Sequence, residues 1–194
     1  IGLSLQGCCF GTKIFTPKTH RLMENNVMEP AAKQTQSPFI STDALLDHWQ
    51  GHRRLTRRVI EAFPEDKLFT YSVGGMRPFG ELAIEMLHMA APTLRGIVTN
   101  EWPTFEQVAK NFVKPTNRAE LLALWDGSTE QMNSLWPHIS TERFQEIVKA
   151  WGQWEGTVYW VILYLVDNEI HHRGQGYVYL RSLGIEPPYF WERN

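Results

Sequence analysis

The stretch DNEIHHRGQGYVYLR, Asp167 to Arg181, follows directly on the apolar run VYWVILYLV and sets two adjacent histidines among acids, an arginine and a glutamine. Asn168 and His172 stand four residues apart, so on a helix their side chains share one face, the spacing by which a single helix offers two ligands to a metal. Asp167 and His171 repeat that relation one position round, and only one of the two pairs can point fully inward. Two further polar residues fall on or beside apolar stripes, His52 and Glu85. On a buried stripe such groups must be hydrogen-bonded, charge-paired or bound to something. Imidazole and carboxylate suit zinc, nickel, iron or manganese, whereas a carboxamide oxygen is a weaker ligand. Plainer roles stay open at this stage. The histidine pair could belong to a solvated face beside Arg173, Glu85 could pair with Arg77 or Arg173, and Asn168 could hydrogen-bond a neighbour.

The elements that must position these residues are helical. Ser41–Asp43 is a start signal, and Leu45, Trp49, His52, Thr56, Val59 and Phe63 trace one helix face that stops at Pro64. Pro78 suits the first turn of a second helix with Leu82, Glu85 or Met86, Met89 and Thr93 inward. Asn117 and Glu120 form a capping box for a third, with a stripe of Leu121 or Leu122, Trp125, Thr129, Met132 and Trp136. A connector with its own short periodicity (Phe144, Ile147, Val148, Trp151) leads to the fourth, roughly Thr157 to Leu183, ended by Gly184 with Pro187 and Pro188 beyond. Its stripe of Val158, Val161, Leu165, Asn168, His172, Gln175 and Tyr179 turns polar at Asn168. There is no alternating strand pattern of useful length and no internal repeat. Four amphipathic segments in one small domain predict an all-α four-helix bundle over residues 41–194. Gly174, in the middle of the last helix, is expected to mark a close approach of another backbone.

Composition bounds the function. At 194 residues the chain suits one domain, and 43% apolar against 21% charged residues place it among soluble globular proteins. A net charge of −2 supplies no basic field for nucleic acid. No apolar run reaches the length of a membrane span. Cys8 and Cys9 are adjacent and make no disulfide framework, which points to a reducing, cytoplasmic setting. Residues 1–40 read as an arm outside the bundle, artefactual or disordered, with Met23 and Met28 as alternative starts. Eight tryptophans fit a fold with an internal polar pocket, since a buried indole wants a partner for its N–H.

The segment NEIHHRGQGYVYLRSLGIEPP resembles the C-terminal signature of the DinB superfamily, the DinB/YfiT-like metalloenzymes, whose last helix carries His-x-x-x-His-Arg-Gly-Gln. GMRPFGELAIEM is similar to the family's second-helix entry and IEAFPEDKLFTY to its usual beginning, so the resemblance spans roughly residues 42–192. It implies a four-helix bundle of DinB/YfiT type, a homodimer, and a divalent metal held by three histidines, one on the second helix and two on the fourth. It also implies a cytoplasmic, stress-associated enzyme acting on a small molecule, a thiol S-transferase or a hydrolase. Carried over by position, the metal set falls on His172, Asn168 and Glu85, with His52, Glu169 or His88 as substitutes. Glu85 and His172 are then the expected catalytic pair. Two of the three histidine positions are thus a carboxamide and a carboxylate, which leaves the alternative of a non-catalytic small-molecule-binding bundle without the metal chemistry.

Overall fold

The structure, a computed structural model, describes residues 40–194; the expectations about residues 1–39, including the arm and Cys8–Cys9, lie outside the described residues. Four long helices run through the described residues: α1 (Thr42–Ala62), α2 (Phe79–Thr99), α4 (Arg118–Leu135) and α5 (Val158–Ser182), with a short α3 (Phe105–Lys110) between the second and third. Local chemistry sets their ends. The Ser41 hydroxyl accepts from the Ala44 amide at 3.1 Å, and the Asn117 side chain accepts from the Glu120 amide at 2.9 Å. Glu120 does not return the bond to Asn117. Its carboxylate takes the Thr116 amide instead, at 2.7 Å, so the expected reciprocal box is only half formed. Thr104 and Gln107 make the full capping box, at the start of α3.

The connector before α5 is the main departure from the sequence reading. Ile147–Ala150 (β1) and Trp154–Thr157 (β2) pair antiparallel as a small hairpin. Its turn rests on Trp151 and Gly152, at φ 56° and 69°, the left-handed pair that matches the twist of a tight hairpin. Glycine adopts that conformation freely and tryptophan rarely does. Trp151 is held there because its indole stacks on Phe105 at 4.2 Å and donates to the Thr93 hydroxyl at 3.2 Å.

Helices α1 and α2 sit diagonally, each packed between α4 and α5, so the two consecutive helices scarcely touch. The buried apolar residues form two clusters rather than one. The first gathers around Trp49, Leu94, Met132 and Val166, the second around Val59, Phe79, Trp125 and Tyr179. Between them, in sequence on α1 and α5, lie the buried polar residues His52, Arg53, Thr56, Glu169, His172 and Arg173. The polarity in the middle of α5 is therefore a layer dividing the core, and this layer contains the candidate site.

The glycine that permits close approach is Gly176. A Cβ there would lie 2.5 Å from the Phe79 ring on α2, whereas one on Gly174 would meet nothing within 4 Å.

Candidate functional site

One helical step separates His172 from Arg173, about 100° around α5, and that step sends the two side chains to different neighbours. His172 faces α2. Its Nε2 lies 2.9 Å from Glu85 Oε1 and 3.2 Å from Asn168 Nδ2, and its Nδ1 lies 3.0 Å from Gln175 Oε1. Asn168 Nδ2 also reaches Glu85 Oε1, at 3.4 Å. A proton on Nε2 lets the imidazole and the carboxamide both donate to one carboxylate oxygen. The other carboxylate oxygen of Glu85 accepts from the Arg77 guanidinium, on the loop that leads into α2. Burial raises the Glu85 carboxyl, but hydrogen bonds from Arg77 and His172 outweigh it and hold the group below its ordinary value. Asp167 and His171 are exposed, so the Asn168–His172 pair is the inward one.

Arg173 faces α1 and builds a second cluster. Glu169 accepts from Trp49 Nε1 at 3.3 Å and from the Thr56 hydroxyl at 2.7 Å. Two guanidiniums flank it, Arg53 at 3.9 Å and Arg173 at 3.7 Å. Arg53 also covers the Trp125 ring, 3.6 Å from its centroid, and donates to the Trp125 carbonyl. Burial lowers Arg53 to about 10 and lowers Arg173 as well, in both cases against the raising effect of Glu169.

His52 belongs to this second cluster and does not face Glu85 and His172. Its Nδ1 accepts from Arg173 at 2.8 Å, and its Nε2 lies 3.3 Å from both His48 Nε2 and an Arg193 nitrogen near the C-terminus. Burial, reinforced by Arg173, Arg193 and His48, pushes His52 down to about 3, so it is a neutral acceptor at neutral pH. The reason is the diagonal packing: a buried residue on α1 meets α4 and α5, not α2. Among the named substitutes, Glu169 is committed to the arginine cluster. His88 packs edge-on against Phe112 with ring centroids 4.3 Å apart.

Beside Glu85 lies a cavity of about 370 Å³, walled by Met89, Phe105, Trp151, Trp154, Trp160 and Tyr164 among others. Phe105 stacks on Trp151 and meets Trp154 edge-on at 5.7 Å, while Trp160 and Tyr164, one turn apart on α5, stack on each other at 6.1 Å. A Cβ on Gly156 would lie 2.6 Å from the Trp160 ring, so glycine seats that indole. Sequence reasoning misses these walls. Their signal is the crowding of tryptophans in WGQWEGTVYW, which becomes a cavity only through the hairpin.

The DinB family model matches residues 35–193. The chain belongs to the DinB family. Solved structures agree at the level of fold. A DinB-like protein of Bacillus subtilis, YjoA, superposes with a TM-score of 0.60 at 20% identity, covering 75% of this chain and 96% of its own. A DinB-like protein of Bacillus cereus gives 0.61 at 16% identity, covering 75% and 95%. A search of the curated proteins finds no match. Among the described residues no helix is long and apolar enough to cross a membrane.

The DinB family is generally associated with metal binding, and the donors can be tested against that. This site offers one imidazole, one carboxylate and a carboxamide, and the carboxylate is already charge-paired with Arg77. Among the described residues no group of three or more His, Cys, Asp or Glu is placed to hold a metal ion. The donor chemistry does not fit a tightly held divalent ion: the third vertex is a poor ligand, and a cation already compensates the one anionic donor.

Proposed function

We propose that this DinB-family chain binds a small molecule in the aromatic cavity and that Glu85, His172 and Asn168 serve the pocket as a hydrogen-bonded cluster in place of a metal. The observation that carries this reading is the position of Glu85. Glu85 is the one charged residue among the described lining of the apolar and aromatic cavity, and its carboxylate is held by Arg77, His172 and Asn168. A concave apolar space with a few placed polar groups is the usual form of a small-molecule site.

A second reading has one observation in its favour. A carboxylate hydrogen-bonded to an imidazole and exposed to a cavity is equipped to take up or return a proton, so Glu85 could act as a general base with His172 holding it in orientation. A metal-dependent thiol transfer or hydrolysis would need donors beyond His172 and Glu85.

Titration with the neutral fluorophore N-phenyl-1-naphthylamine tests the binding reading. Saturable one-site enhancement is expected, at least about tenfold weaker in Trp160→Ala, which removes a wall whose side chain is half exposed. A non-saturating response, or equal affinity in the variant, would sink it.

A further inference from the structure

Among the described residues Glu85 is the only charged one on the cavity wall, and a carboxylate can only accept hydrogen bonds. Its acceptor capacity can be counted. An ionised carboxyl offers roughly four lone-pair sites. Two on Oε1 are met by His172 at 2.9 Å and Asn168 at 3.4 Å, and one on Oε2 is met by Arg77. One acceptor site is left over on a residue that lines the cavity, whose other described lining residues are apolar or aromatic, with the Tyr164 hydroxyl and the indole N–H groups as their only polar side-chain atoms. The walls are already assembled into stacked and edge-on aromatic pairs.

We infer that the pocket selects a planar aromatic molecule carrying one N–H or O–H donor, with the ring held against the indoles and the donor given to Glu85. This rests on the small-molecule reading above and narrows it to a ligand class. Anionic ligands are disfavoured because the carboxylate would repel them and no described lining residue is basic. A ligand with an acceptor where the donor should be is disfavoured too, since lone pairs would face lone pairs. The half-buried setting of Glu85 limits how sharp the choice is, because water can replace a missing donor.

Indole and benzofuran separate these possibilities. They share shape and size and differ by an N–H against a ring oxygen. Each is used to displace N-phenyl-1-naphthylamine from the full chain. Indole is expected to displace it at a concentration about tenfold or more below benzofuran, a ratio of the size a single hydrogen bond to a charged group supplies. In Glu85→Met, which keeps the length of the side chain and removes the acceptor, the fluorophore, itself an aromatic N–H donor, is expected to bind more weakly, and the ratio between indole and benzofuran, both measured on that variant, is expected to fall to within about twofold. Equal displacement by the two compounds in the unaltered protein would overturn the donor requirement and leave the pocket reading standing. A preference that persists in Glu85→Met would also overturn it, by placing the acceptor elsewhere. Failure of the fluorophore to bind the unaltered protein at all would remove the pocket reading, and this inference with it.

Discussion

Replacing Glu169 by alanine is expected to destabilise the protein by about 3–5 kcal/mol, because it leaves two buried guanidiniums without their shared carboxylate. Glu169, Arg53 and Arg173 are 2%, 1% and 5% exposed, so neither arginine can turn to solvent for compensation. The same change strands the Trp49 indole N–H and the Thr56 hydroxyl, both of which donate to Glu169. Glu169→Gln separates the two contributions. It retains an acceptor for these donors and removes the charge, so it should cost less than alanine yet remain clearly destabilising. The exposed pair Arg57–Asp126 is the control. Its side chains are 36% and 46% exposed, and Asp126→Ala should cost no more than about 1 kcal/mol. Urea-denaturation midpoints for the three variants give the ranking directly. A Glu169→Ala protein within about 1 kcal/mol of the original would mean that Glu169 is not what compensates the two buried arginines.

The second large effect concerns two glycines on one helix. Gly176→Ala should destabilise by about 1–3 kcal/mol, the usual range for forcing a methyl into a packed core. The added Cβ would lie 2.5 Å from Phe79, and that ring has no room to yield, being fully buried and stacked on Phe63 at 4.8 Å. Gly174→Ala, two positions earlier, meets open space and should instead stabilise by up to about 1 kcal/mol through helix propensity. Opposite signs for the same substitution would show that α5 closes on α2 at Gly176. Equal effects, of either sign, would contradict that packing.

The glycine pair also shows where the sequence stops being informative. A mid-helix glycine at 174 is a conspicuous cost, and a contact is a natural reason for it, yet the contact is made at Gly176, by a ring from another helix. Only the register between α5 and α2 decides which glycine meets Phe79. The four long helices are legible because their apolar stripes repeat over several turns, enough to fix both type and buried face. The hairpin is not, because each strand is four residues long and its turn depends on Trp151 adopting a left-handed backbone that tertiary contacts with Phe105 and Thr93 sustain. The same limit divides the site. The i, i+4 relation places Asn168 beside His172, and Glu85 meets them across α2 and α5. For His52 the stripe specifies only the buried face of α1. Which helices that face meets is a matter of topology, and the diagonal placement of α1 and α2 assigns His52 to the arginine cluster.

In the proposed function, a hydrogen-bonded Glu85–His172–Asn168 cluster occupies the place where the family's metal chemistry is expected. Isothermal titration of zinc into untagged, chelator-treated protein tests this most directly, with the Glu85→His, Asn168→His double variant as the comparison that supplies imidazoles at both positions. No stoichiometric zinc site tighter than about micromolar is expected in the unaltered protein, and a much tighter one is expected in the double variant, where three imidazoles replace the mixed set. A one-to-one site of submicromolar affinity in the unaltered protein, abolished by His172→Ala, would contradict the metal-free cluster.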